Sequence, residues 1–237
     1  MSERLTDIHQ HLLWGLDDGA KTPEIMQMMI LEAQRQGIGQ IAATCHVCPG
    51  MVPFDTGLYR ERLAEAQAFC RREAPDVCVL SGSEIAWTYQ TVSSLRQGRA
   101  LPLGNTDMVL LELWRDISLD EARHAVRSLI SAGYCPVLAH VERYRCFGWF
   151  PRQALKFREE TGALFQMNAG TVMNPQGLLE RRFVRMMLDR RGLDAVATDA
   201  HGSRSRPINL RQAHDWLARH TDAGYARELT TFDGELT

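Results

Sequence analysis

The chain has 237 residues, 45% of them hydrophobic and 24% charged, proportions ordinary for a globular enzyme that buries a large core without disulfides. Twenty-seven lysines and arginines against 29 aspartates and glutamates leave a formal net charge of −2, which supplies no basic field for nucleic acid. The opening MSERLTDIHQ has no apolar core of a secretory signal, and no apolar run approaches a membrane span, so a cytoplasmic location is expected.

In chain order, short β-branched runs alternate with amphipathic helical stretches. Leu5–Ile8 reads as a strand, and residues 23–36 as a helix with Thr22 as N-cap and Gly37 as the stop. A strand over 40–44 and a helix over 58–73 follow, then strands over 77–80 and 108–113. The stretch 84–103 breaks the regularity, and its segments SEIAWTY and GRALPL suggest an inserted hairpin. Beyond it come a helix over 119–132, a strand over 136–139, a helix over 151–161, a strand over 163–167, a helix over 178–191, a strand over 195–198 and a last helix over 209–219. The tail beyond about residue 221 reads as loosely ordered.

Strands alternating with helices imply parallel pairing through right-handed crossovers. Runs such as MVLLEL and AVAT are apolar at consecutive positions, as strands buried on both faces are. A closed barrel and an open doubly wound sheet both fit, and in either one ligands sit at the carboxyl ends of the strands. There is no internal repeat and no linker, so residues 1–237 are expected to form one domain.

The chemically able side chains collect at those ends. His9, His11, His46, His140 and His201 each follow a predicted strand, whereas His124, His214 and His220 fall on helices as solvated surface residues. Asp7, Asp18, Glu84, Glu112 and Asp199 join the first group. Residues i and i+2 of an extended segment point to one side, so His9 with His11, Asp199 with His201, and His140 with Glu142 can each share an ion. Imidazole nitrogen with carboxylate oxygen suits zinc, manganese or iron, and so many carboxylates suggest more than one ion. Cys45 and Cys48 form a C-x-x-C without a second pair, so the six cysteines are read as reduced thiols in packing positions.

The motifs DIHQH, LDDGAKT, ATCHVCPG, SGSEI, VLLELW, AHVER and TDAHGSRSRP occur in this order across residues 7–207. In them the chain resembles the PHP (polymerase and histidinol phosphatase) superfamily, and within it the bacterial metal-dependent tyrosine-protein phosphatases of capsule and exopolysaccharide systems. The resemblance implies a distorted (β/α)7 TIM-like barrel with a metal cluster at the C-terminal ends of its strands. It implies three divalent ions, expected to be manganese, with zinc, iron or magnesium as other candidates. His9, His11, Glu84 and Asp199 would hold the first ion; Glu84 would bridge to a second completed by Glu112 and His140; Asp18, His46 and His201 would hold the third. Arg143 and Arg206 match the phosphate-binding arginines, while Asp7 and Asp17 would support the shell. Two positions depart from the pattern: Val141 stands where the family usually has proline in HPER, and Val47 where it often has a second histidine.

The implied activity is hydrolysis of phosphotyrosine on protein, the expected substrate being the tail of a tyrosine autokinase that regulates polysaccharide export. The rim around Trp87 and Tyr89 is a place to receive it, if these aromatics are not hairpin core. Other readings are a small-molecule phosphoesterase of the same superfamily, acting on histidinol phosphate or a nucleotide, and a catalytically silent metal-binding scaffold.

Overall fold

The computed structural model describes residues 4–202, 206–232 and 236. Strand β1 (Leu5–Gln10) leads to helix α1 (Pro23–Arg35), where Thr22 caps the first turn through Ile25 N–H and Gly37 leaves the helix at φ 72°. Next come β2 (Ile38–Val47), α2 (Thr56–Glu73) and β3 (Cys78–Ala86). The stretch expected to form a hairpin instead extends β3 and then coils into a short helix, α3 (Thr91–Arg96), because Thr91 and Thr88 close a turn through Thr88 N–H and Thr91 Oγ1. The sequence continues through β4 (Met108–Glu112), α4 (Leu119–Ser131), β5 (Cys135–Leu138), α5 (Arg145–Gly148) and α6 (Pro151–Thr161). It ends with β6 (Leu164–Asn168), α7 (Ala169–Met173), α8 (Gly177–Asp189), β7 (Ala195–Ala197), α9 (Leu210–His220) and α10 (Ala223–Thr231).

The seven strands pair in sequence order, each parallel to the next. The sheet then curls until β1 meets the end of β7: Asp199 N–H donates to His9 O at 2.8 Å, and His11 N–H to Ala200 O at 2.9 Å. Asp7 fastens that seam from inside, accepting from Thr198 N–H at 3.0 Å and Thr198 Oγ1 at 2.5 Å. The result is a nearly closed barrel.

Alternation along each strand divides the core in two. Ile41, Val79, Leu111, Phe165 and Val196 face outward and pack with the helices. Ile8, Ala42, Leu110, Val137 and Ala195 fill the barrel interior, and Phe232 and Leu236 join them. That placement corrects the expectation of a loose tail for residues 222–232; residues 233–235 and 237 lie outside the described residues. Asp222 caps α10 through Tyr225 N–H, Tyr225 and Leu229 bury against the shell, and Phe232 plugs the barrel. His214, expected at the surface, is half-buried with its Nδ1 2.8 Å from Thr230 Oγ1 of α10.

Candidate metal centre

The candidate ligands stand at the strands' carboxyl ends, with Asp18 in the loop between β1 and α1. A register irregularity in β1 between Asp7 and Gln10 turns both His9 and His11 toward the barrel mouth, where their Nε2 atoms lie 3.3 Å apart. Glu84 ends up beside them because β2 and β3 pair His46 with Glu84. Its Oε2 lies 3.2 Å from His9 Nε2, 3.1 Å from His11 Nε2 and 3.0 Å from His46 Nδ1. Its Oε1 lies 2.8 Å from His140 Nε2, which is 3.5 Å from Glu112 Oε1. Asp199 Oδ1 closes the floor, 3.5 Å from His9 Nε2 and 3.4 Å from His11 Nε2.

Among the described residues, three sets of donor atoms each gather within 4.8 Å: His9, His11 and Glu84; His46, Glu84 and Glu112; and His11, Asp18, His46 and His201. The floor of His9, His11, Glu84 and Asp199 is fully enclosed, whereas the Asp18 side chain at the mouth is 61% exposed.

Hydrogen bonds at the far side of the His9 and His11 rings fix which nitrogen faces the cluster. His9 Nδ1–H donates to Gln166 Oε1 at 3.2 Å, and His11 Nδ1–H to Asp17 Oδ2 at 2.8 Å. Both Nε2 atoms therefore turn lone pairs inward. With the rings in that tautomer, Glu84 Oε2 and Asp199 Oδ1, buried against them, accept no hydrogen bond among the described residues. Two imidazole lone pairs and two carboxylate oxygens converging in a buried space demand positive charge, and a divalent cation fits the donor set.

The electrostatics agree. Burial disfavours charge on His9, yet Glu84 and Asp199 outweigh it and raise the pKa; Asp17, Asp199 and Glu84 raise that of His11 well above the ordinary value. Against burial, His9, His11, His140 and His46 hold Glu84 well below the usual carboxylate range, and His9, His11 and Arg143 do the same for Asp199. His201 goes the other way: burial, His11 and Arg206 push it down to about 4, so its imidazole is neutral at neutral pH.

The two arginines meet on Asp199. Arg143 Nη2 donates to Asp199 Oδ2 at 2.9 Å, Arg206 Nη2 bonds the same oxygen, and Arg206 Nη1 lies 2.8 Å from His201 Nε2. Three site residues also adopt left-handed backbone, His140 at φ 33°, Asp199 at φ 52° and Arg206 at φ 52°. Here the i, i+2 reading fails in its premise. Asp199 and His201 lie past the end of β7 and converge through the bend at Asp199. Past β5 the chain enters a 3-10 turn, Val141–Arg143, so Glu142 turns away from His140 and accepts from Asn168 N–H at 3.2 Å.

Sequence reasoning missed Gln166 and Asn168. Gln166 Oε1 also accepts His140 N–H at 2.8 Å, and Asn168 Nδ2 donates to Asp199 Oδ2 at 2.8 Å. Their signal is the polar pair in LFQMN at the end of an otherwise apolar strand, spaced as H-x-H is. Asp7 supports the barrel seam rather than any ligand side chain, whereas Asp17 both orients His11 and accepts His46 N–H at 3.0 Å. The Cys45 thiol is buried, and burial with Asp17 nearby pushes its pKa well up, the opposite of a nucleophilic thiolate.

A family model described as capsular polysaccharide synthesis, CpsB/CapC, matches residues 5–235. The chain belongs to the CpsB/CapC family. It is 28% identical over 232 residues to the tyrosine-protein phosphatase CpsB of Streptococcus pneumoniae, covering 95% of this chain and 94% of that protein. It is 30% identical over 209 residues to the tyrosine-protein phosphatase YwqE of Bacillus subtilis, covering 88% and 82%. Among solved structures, one of the YwqE and CpsB group, described as unique metal-dependent tyrosine phosphatases, matches with a TM-score of 0.83 at 27% identity over 94% of this chain and 89% of that one. A histidinol phosphate phosphatase of Lactococcus lactis, solved with zinc, L-histidinol and phosphate, shares the fold with a TM-score of 0.60 at 16% identity over 94% and 93%. Among the described residues of this CpsB/CapC member, no helix is long and apolar enough to cross a membrane.

Proposed function

We propose that the chain is a metal-dependent protein-tyrosine phosphatase, one domain acting in the cytosol on the phosphorylated tail of an autokinase that governs polysaccharide synthesis or export. One observation carries the reading: inward-facing lone pairs of His9 and His11 meet unpartnered oxygens of Glu84 and Asp199 beneath two arginines. The names of the CpsB and YwqE relatives support the same activity.

The proposed cofactor is three divalent ions, manganese by preference. His9, His11, Glu84 and Asp199 would hold the first, Glu84 with Glu112 and His140 the second, and Asp18, His46 and His201 the third. Such ions supply a hydroxide nucleophile at neutral pH and neutralise charge on phosphoryl oxygens. The protein's own groups do the positioning. Asp17 and Gln166 hold the His11 and His9 rings with Nε2 inward, and Asn168 steadies Asp199. Arg143 and Arg206, each half-exposed at the mouth, bring planar two-pronged donors to the phosphoryl oxygens as charge develops there. Tyrosine leaves as a phenolate whose parent pKa is about 10, so it departs with less proton assistance than an alkoxide.

Phosphate release from a phosphotyrosine peptide, histidinol phosphate and nucleoside monophosphates by the manganese-loaded protein tests the assignment. The highest kcat/KM is expected on the peptide. A preference for either small phosphoester would move the activity to that substrate class.

A further inference from the structure

The metal centre has a neighbour that hydrolysis of a bare phosphate does not use. A groove of about 840 Å³ runs beside it, walled by Trp87, Tyr89 and Trp114 and edged by Asp116, Asp120 and His124. Tyr89 is 84% exposed and Trp114 50% exposed, an unusual display of ring face for two adjacent loops. Among the described residues no lysine or arginine lines the groove, whereas Asp116, Asp120 and Glu121 all do. Asp116 pairs with Arg145 and Asp120 with Arg123, but Asp116 and Arg145 are more than half exposed and Asp120 is almost wholly so. Such pairs exchange readily for an incoming cation.

The walls are rigidly tied to the candidate ligands. Trp87 lies three residues beyond Glu84, and its N–H donates to Glu112 O at 2.8 Å. Trp114 lies two residues beyond Glu112, and its Nε1–H donates to Trp87 O at 3.0 Å. Around the rim the rings stand close, Trp87 to Tyr89 at 6.2 Å and Tyr89 to His124 at 5.8 Å between centroids. Aromatic faces alone would accept any apolar chain. Faces edged by Asp116, Asp120 and Glu121, with no lysine or arginine among the described lining residues, favour a cation, which gains ring attraction and Coulomb attraction together.

From this we infer that the groove binds a lysine or arginine side chain of the substrate protein, close in sequence to the phosphotyrosine. The inference rests on the phosphatase reading above and adds a specificity element to it. The substrate segment is bipolar, its phosphate drawn to the metal centre and its cation to the Trp87–Tyr89–Trp114 groove. The groove residues touch no reacting atom; they act through KM.

Matched phosphotyrosine peptides, one carrying lysine and the other acetyl-lysine at each of several flanking positions, test this by kcat/KM, with phenyl phosphate as a substrate that reaches only the metal centre. At low salt, at least one position should favour lysine by about tenfold, chiefly in KM, and salt should shrink the ratio. In Tyr89→Ala, Trp114→Ala and the double variant Asp116→Asn, Asp120→Asn, the ratio should fall toward one. Equal rates on both peptides at every position, with phenyl phosphate still hydrolysed, would overturn the groove and leave the phosphatase standing. A lysine preference that survives all three variants would overturn it as well. No hydrolysis of any phosphoester would remove the phosphatase reading and this inference together.

Discussion

His11 and Asp17 are joined through the face of the imidazole that the metal centre does not use: Nδ1 donates to Asp17 Oδ2 at 2.8 Å, leaving Nε2 to point at Glu84 and Asp199. The bond sets both the tautomer and the orientation of the ring. It also holds the Asp17 carboxyl down to about 2 although the group is largely buried. Replacing Asp17 by Asn keeps the size and removes the charge. Manganese affinity should fall about 10–100-fold, read by competition with a chelator dye. An unchanged affinity would mean that the ring is positioned by packing alone.

Protons and ions compete for the same lone pairs. The folded-state pKa values of His9, His11 and His46 are raised by neighbouring carboxylates against the effect of burial. In the metal-free protein the folded state therefore binds more protons than the unfolded one. The stability this contributes is complete below the ordinary histidine value of about 6.5 and is lost as pH rises through the raised folded values. Loading should reverse the trend, with affinity rising with pH and protons released at neutral pH. Calorimetric titrations in buffers of different ionisation enthalpy measure that release, and binding heats independent of the buffer would count against it.

Gln166 bonds two buried groups with a single oxygen, His9 Nδ1–H and His140 N–H. Gln166→Leu would leave both donors unpaired in the interior. Unfolding by urea in the presence of chelator should show a loss of roughly 1–3 kcal/mol. Metal affinity should fall in parallel, because His9 would then be free to turn. A variant as stable as the parent would show that relaxation re-pairs these groups.

Phe232 tests the other end of the barrel. It belongs to the buried interior cluster that also holds Ile8, Ala42, Leu110 and Val137. Phe232→Ala should cost roughly 3–5 kcal/mol in urea unfolding. A loss below about 1 kcal/mol would imply that the C-terminal segment is not part of the core.

Much of this was legible in the sequence because the signals were local. Pro151 and Gly162 bracket α6 as the start and stop rules require, and Thr22 caps α1. The H-x-H at the end of β1, the aspartate after β7 and the glutamates in the last residues of β3 and β4 stand where a parallel barrel puts its ligands. What was missed depends on tertiary geometry. The segments SEIAWTY and GRALPL suggest a hairpin, yet Trp87 and Thr91 bury in the shell and the middle of the stretch coils into α3. The φ values of His140 and Asp199 have no signature in residue type, so convergence there was argued from an extended backbone that the chain does not adopt. Gln166 and Asn168 carry no charge to mark them, and nothing local in the tail marks Phe232 and Leu236 as members of the barrel interior.

The central claim is that this cluster, loaded with metal, hydrolyses phosphotyrosine. The most direct test is phosphate release from a phosphotyrosine peptide by protein stripped with EDTA and then titrated with manganese, beside an Asp199→Ala, His201→Ala control. Release should be absent after stripping, restored by manganese and absent in the control at every concentration. Release that persists in the control, or that the stripped protein sustains, would contradict the claim.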